Sequence, residues 1–412
     1  MKTGLTRMRT RMRWMQAVGS ALVLLASAGV SHASGAHTNP LNRDPLVRDA
    51  YDHFYQLDYA GAVTRFERFH AQHPGDPQAT TLLLNAVLFQ DLYNLDLLDT
   101  TFYSNDSFAS GKRPNSEDPK VRDRIFSLAD EAVHEADWNL SRNPKDVDAL
   151  FARGWAHSLK ATYLAMVERG FAAGLHLSIE AKNDHEHVLQ LDPDYADAKL
   201  VFGIYQYVVG SLPVPFKMLI GMAGISGTKA KGMELLNDAA IHGTITSVEA
   251  RTTMALFLRR DRKYREAIQV VESLKQQYPH DFLFCLEEAN LRQESGAGMT
   301  AAASYQALIE QASKPGYFPS AHVDLAYFGL GKSLNGERHF DEAAKAYEQA
   351  ASSPTAGVEL KRRSLVAAGM SRDLVGQRQQ ALKDYQATIQ LASDSEQAEI
   401  ARRYLDRPYR EK

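Results

Sequence analysis

A chain of 412 residues with 44% hydrophobic and 24% charged side chains has ample apolar surface to bury, which excludes a disordered chain but allows either two or three compact domains or one elongated repeat array. Its 47 basic and 50 acidic side chains nearly balance, at a formal charge of −3. The single cysteine, Cys285, excludes an internal disulfide, so stability has to come from packing.

The first segment is basic and then apolar. Lys2, Arg7, Arg9, Arg11 and Arg13 precede an apolar run over residues 17–30, and Ser31-His32-Ala33 follows as a small-x-small cleavage site. A run of about fourteen residues is short of the roughly twenty that span a bilayer. Residues 1–33 are therefore expected to be a cleaved signal peptide, and the product to be exported, periplasmic or secreted. Removal takes away five basic side chains and no acidic ones, carrying the charge from −3 to −8. That disfavours nucleic acid or anionic lipid as a general partner. No cysteine follows the apolar run to carry a lipid.

From residue 58 onward one pattern recurs. DYAGAVTRFERFHAQHP (58–74), EAKNDHEHVLQLDP (180–193), KYREAIQVVESLKQQYP (263–279), HFDEAAKAYEQAASSP (339–354) and, without the proline, RQQALKDYQATIQL (378–391) share a skeleton of small and bulky apolar positions. This resembles the tetratricopeptide repeat, a 34-residue pair of antiparallel helices. The small second-helix residue falls at Ala62, Ala132, Ala181, Gly232, Ala267, Ala301, Ala343 and Ala381, where the two helices of a hairpin approach most closely. First helices carry a complementary small residue at Ala50, Gly154, Gly203, Ala255, Ala289, Gly331 and Gly369. Pro74, Pro144, Pro193 and Pro279 stop second helices.

Spacing between the small positions is uneven before Gly232 and close to regular after it. The expected organisation is an irregular helical region over 34–245, with insertions, and a regular array over 246–412. The first insertion predicts a helix near 78–98 and then a polar loop up to residue 120. That loop reads as either a tolerated surface insertion or a partner contact.

Several local patterns imitate reactive sites. Gly329-Leu-Gly-Lys-Ser333 resembles the end of a phosphate-binding loop but lacks the earlier glycine, since position 326 is alanine. Asp184-His-Glu-His187 places its histidines two apart, on different faces of a helix. Glu131-x-x-His134 has the one-turn spacing of carboxylate-bridged metal bundles but no matching second motif. Cys285 sits among Phe282, Leu283, Phe284 and Leu286, a setting that raises a thiol pKa. No metal, no cofactor and no catalytic residue is expected. The basic run 259–265 reads as a solvated turn or a contact for an acidic segment.

In a repeat of this kind, first-helix positions one and four after the small residue point into the concave groove. They are Trp155, Ser158, Ile204, Tyr207, Leu256, Arg259, Asn290, Gln293, Lys332, Asn335, Met370 and Asp373. Trp155, Ser158, Tyr207, Arg259, Asn290, Gln293, Lys332, Asn335 and Asp373 are the candidate partner-binding residues.

The stretch GIYQYVVGSLPVPFKMLIGMAGISGTKAKGMELLNDAA (203–240) stands apart. Pro213, Pro215, Lys217 and its glycines exclude a membrane span. It reads as a joint: a helix over 196–209 ended by Gly210, a short apolar helix over 216–222, a turn at Gly224 to Gly227, and a second helix over 228–240. Gly210, Pro213, Gly224 and Gly227 carry a resemblance to the central segment of the tetratricopeptide repeat protein 39 family. Its fungal relatives are linked to the mitochondrial outer membrane and clearance of lipid-associated inclusions; exported bacterial relatives look closer still. The resemblance implies no catalytic residues, and the export signal departs from the eukaryotic members.

The expectation is an all-α, tetratricopeptide-like right-handed solenoid of about eight helix hairpins with an irregular central insertion. Functionally it is a non-enzymatic scaffold in the bacterial cell envelope with a protein or peptide partner. The alternative is an apolar-ligand or lipid-handling protein using residues 210–227 with Trp155 and Tyr207.

Overall fold

Aspartate followed by proline opens three of the early helices. Asp44, Asp76 and Asp118 each accept a hydrogen bond from a backbone N–H of the first turn, and Pro45, Pro77 and Pro119 supply a first helical residue whose missing N–H costs nothing there. The structure, a computed structural model, describes residues 37–103, 118–214, 217 and 226–411. The expected signal peptide, most of the polar loop, the apolar helix over 216–222 and Gly224 lie outside them.

Among the described residues there are seventeen α-helices and no strand, and sixteen of the helices form eight hairpins. The first four hairpins are α1 (Pro45–Phe54) with α2 (Tyr59–Gln72), α3 (Pro77–Asn94) with α4 (Pro119–Arg142), α5 (Val147–Met166) with α6 (Phe171–Leu191), and α7 (Lys199–Ser211) with α8 (Lys229–His242). The next four are α9 (Ser247–Arg260) with α10 (Tyr264–Gln277), α11 (Phe282–Glu294) with α12 (Gly298–Ala312), α13 (Val323–Gly336) with α14 (Phe340–Ser352), and α15 (Val358–Leu374) with α16 (Arg378–Leu391). A last helix, α17 (Glu396–Asp406), covers the end of the stack. Each helix packs on its neighbours in the chain, as in a solenoid.

Ala62, Ala132, Ala181, Ala267, Ala301, Ala343 and Ala381 are all fully buried on second helices. Gly232 takes the same place on α8, where an added Cβ would lie 2.6 Å from the backbone nitrogen of Tyr207. Second helices α2, α4, α6 and α10 stop at Gln72, Arg142, Leu191 and Gln277, two residues before Pro74, Pro144, Pro193 and Pro279. The ring of a proline disfavours helical backbone in the residue before it, and the helix ends there.

Six hairpins turn in the same way. Two residues before the second helix a residue takes a left-handed backbone: Leu57, Arg169, Arg262, Gly296, Arg338 and Gly376, with φ between 57° and 88° in each case. Glycine adopts that conformation without penalty; leucine and arginine do not.

The array is not open along its length. Thr38 Oγ1 donates to Asp197 Oδ2 at 2.6 Å, and the other oxygen of Asp197 accepts from the backbone N–H groups of Thr244, Ile245 and Thr246 and from the Thr246 hydroxyl. Tyr55 donates to Glu249 at 2.7 Å and packs its ring on Tyr278. Tyr93 donates to Ser320, and Asp96 meets His322 at 2.6 Å. Residues 38–103 thus lie against residues 195–322, and the first hairpins share one hydrophobic core with α11 to α14.

Candidate functional site

The groove residues chosen from sequence divide in two when placed. Arg259 is closed off completely. Its guanidinium donates to both oxygens of Glu294 at 2.7 and 2.5 Å, to Glu287, and at 2.6 Å to Thr100 Oγ1. Thr100 in turn donates to Glu287 at 2.5 Å. Burial pushes the Glu287 carboxyl up to about 7 even with Arg259 beside it. The neighbouring Arg260 donates to the carbonyl of Tyr103. The described part of the first insertion, residues 95–103, therefore lies in the groove, and the basic run at 259–265 is not simply a solvated turn.

Trp155, Tyr207, Asn290 and Asp373 are also turned inward, so these four and Arg259 leave the row of presented side chains. Trp155 packs on Phe151, and Tyr207 stacks flat on Phe257 with ring centroids 3.7 Å apart. Asn290 accepts from Tyr305 at 2.6 Å. Asp373 has a fully buried side chain that accepts from Arg378, Tyr385 and the backbone of Tyr409. Tyr207 and Arg259 are held by the next hairpin or the insertion, whereas Trp155, Asn290 and Asp373 turn into their own helix or hairpin. Ser158, Gln293 and Asn335 stay half-buried, with Ser158 donating back to the Trp155 carbonyl and Asn335 accepting from Ser371. Lys332 is exposed at its residue surface, yet desolvation on the groove side holds its ammonium below the usual lysine range.

The central seam has a different logic from the one read in the sequence. Gly210 does not end α7, which continues to Ser211; it lets α8 start against it. A Cβ there would meet the backbone of Thr228 and Lys229 at 2.4 to 2.7 Å, and one on Gly227 would meet the Gln206 carbonyl at 2.8 Å. Contacts that short do not occur, so both positions require glycine for close approach. Thr228 caps α8 by accepting from Lys231 N, while Pro213 follows the end of α7. The helix expected to begin at residue 196 opens as a 3-10 turn over Ala196–Ala198 before α7 proper.

The imitation motifs fall into packing roles. Gly329 and Gly331 lie within α13, facing the rings of Tyr305 and Tyr347, a helical setting with no phosphate cradle. His185 is fully buried against Phe151, and desolvation pushes its imidazole down to about 3. Burial pushes the Cys285 thiol up to about 12, far from the range of a nucleophile.

The model of the Iml2/Tetratricopeptide repeat protein 39 family matches residues 195–353, from the start of the fourth hairpin to the end of the seventh. The repeat is tetratricopeptide-type. In this tetratricopeptide-type solenoid the matched segment contains the Gly210, Gly227 and Gly232 seam and Arg259 with Glu287 and Glu294, but not Thr100, and covers less than half of the chain. No curated protein matches significantly. Solved structures similar to the solenoid include the APC/C hetero-tetramer Cut9-Hcn1, at 12% identity and a TM-score of 0.48 over 89% of this chain and 57% of that one. This chain thus spans a little over half the length of that relative. Yeast Tom70 matches at 10% identity and 0.39 over 88% and 87% of the two chains. A tetratricopeptide repeat protein from Parabacteroides merdae matches at 16% and 0.34 over 78% and 97%.

Proposed function

We propose that this chain is a non-enzymatic scaffold, exported to the bacterial cell envelope, that binds a protein partner on the surface of its repeat stack. The observation that carries the reading is a set of exposed apolar side chains on α6 and α7, where the third and fourth hairpins meet, combined with groove positions taken up by the chain itself. Phe171 and Leu175 on α6, Val208 on α7 and Val214 just beyond it are all exposed, Leu175 at 58% and Val214 at 67%. Lys182 of α6 lies over the Tyr205 ring of α7 at 5.6 Å. Counting from that contact back along α6 and forward along α7 brings Leu175 and Val208 to the same end of the antiparallel pair. Isolated exposed apolar residues are ordinary; several at one end of two adjacent helices favour a partner. Lys332, Gln293, Asn335 and Ser158 provide a polar continuation within the groove.

The charge balance supports a protein over a nucleic acid as that partner. Among the described residues no helix is long and apolar enough to cross a membrane. The apolar-ligand alternative loses Trp155 and Tyr207 as lining residues, since both are packed inside the repeat. To test the scaffold reading, the full chain and a Leu175→Glu/Val208→Glu variant serve as baits for cross-linked capture from envelope extract. A defined protein that is held by the parent chain and lost from the variant supports the reading. Equal recovery on both baits, or co-purified lipid in a native mass spectrum with no protein captured, overturns it.

A further inference from the structure

Helix α4 carries Glu131 and Glu135 one turn apart, which places both carboxylates on one face. That face meets α2, where His70 points at them: its Nε2 lies 3.6 Å from Glu131 Oε1, and one ligand atom from each of the three residues lies within 4.8 Å of the others. The pairing joins two second helices of successive hairpins, a contact reinforced by Arg124 donating to Glu67 at 2.5 Å.

Two carboxylates side by side repel unless a cation or a proton stands between them. Glu135 brings its carboxylate to the same cluster as Glu131 and His70. One of its oxygens is fixed by the Thr80 hydroxyl, which donates at 2.6 Å from the first turn of α3. That is the arrangement by which an outer hydrogen bond orients a metal-ligating carboxylate. His134, the histidine that the sequence spacing pairs with Glu131, is exposed and does not belong to the group.

We propose that His70, Glu131 and Glu135 form a Zn2+ site that clasps the first hairpin to the second. One imidazole and two carboxylates suit a borderline divalent ion. The His70 to Glu131 separation is already close to the roughly 3.3 Å edge of a tetrahedral Zn2+ shell with ligand bonds near 2.0–2.1 Å. Three protein ligands leave one position, and the exposure of Glu131 opens that position to water. The ion would neutralise the carboxylate pair and lock α2 to α4.

The test is calorimetric titration of chelator-stripped full chain with a zinc salt, with X-ray absorption on the loaded sample. One Zn2+ per chain is expected, bound through nitrogen and oxygen with no sulfur in the first shell. His70→Ala and Glu135→Gln should each weaken binding roughly 10-fold or more, while His134→Ala and His176→Ala leave it unchanged. Circular dichroism and melting of the metal-free variants show whether they keep the fold, and Glu135→Gln preserves the shape of the side chain for that purpose. Absence of binding by the parent chain at millimolar zinc, or folded His70→Ala and Glu135→Gln proteins that titrate like the parent, would overturn the proposal.

Discussion

Arg259 donates to Thr100 across 159 positions of sequence, from the last turn of a first helix to a short insertion that sequence periodicity treats as a loop. The guanidinium has no exposed side-chain surface, and two carboxylates share it. Removing it leaves Glu287 buried without its counter-charge. Arg259→Ala should therefore destabilise the chain by about 3–5 kcal/mol, whereas Thr100→Val, which deletes one hydroxyl, should cost about 1–3 kcal/mol. Urea unfolding of the two variants distinguishes them; equal small losses would mean that the cluster is not held as a unit.

Glu249 gives the stability a pH dependence. Burial pushes its carboxyl up to about 7, with the Tyr55 hydroxyl donating to it. A folded-state value above the unfolded one means that the folded chain holds the proton more tightly. The stabilisation is then fully present below about pH 4, is lost as pH rises towards 7, and changes no further above that. Its size is on the order of 3 kcal/mol. Glu249→Gln keeps an acceptor for Tyr55 and should flatten this segment of the stability profile between about pH 4 and 7, measured by thermal melting. A variant profile parallel to that of the parent would contradict the assignment.

At the central seam, Gly232→Val should lower stability by about 1–3 kcal/mol, because the backbone of Tyr207 occupies the space its side chain needs. Gly336→Ala is the control. It ends α13 with nothing within 4 Å of an added Cβ, so it should be neutral or stabilising by up to about 1 kcal/mol. Differential scanning calorimetry on both variants reads the contrast.

The left-handed turn residues offer a gain. Arg262 is exposed at φ 58°, and Arg262→Gly should raise stability by about 1 kcal/mol by relieving the backbone. Leu57→Gly should not, since Leu57 is buried and its removal sacrifices apolar contact. Melting temperatures that move in opposite directions for the two variants are the expected outcome.

Legibility followed the locality of each interaction. Helix pairing, the eight small positions and the proline stops depend on residues within one or two turns, and those patterns stand in the sequence. The role of Gly210 was misread because chain punctuation and close packing use the same residue. The fate of Arg259 could not be read at all: its partners Glu294, Glu287 and Thr100 lie 35, 28 and 159 positions away, and only folding of the first insertion into the groove brings Thr100 there. Asp197 is the same case, an acidic residue at an ordinary helix start that gathers Thr38 and three backbone N–H groups. A solvated-turn reading of a basic run is sound on averages, and it fails where a distant carboxylate pair is waiting.

Thr38 on Asp197, Tyr55 on Glu249 and Thr100 on Arg259 together set a fixed circumference. An open solenoid can gain or lose a hairpin anywhere and still stack its neighbours, because each unit sees only the next one. Here an added hairpin between residues 103 and 195 would carry Asp197, Glu249 and Arg259 out of reach of all three counterparts at once. Between these clamps the repeat count cannot drift by single units, and variation there is channelled into loops and helix lengths, which is where the departures from regularity lie.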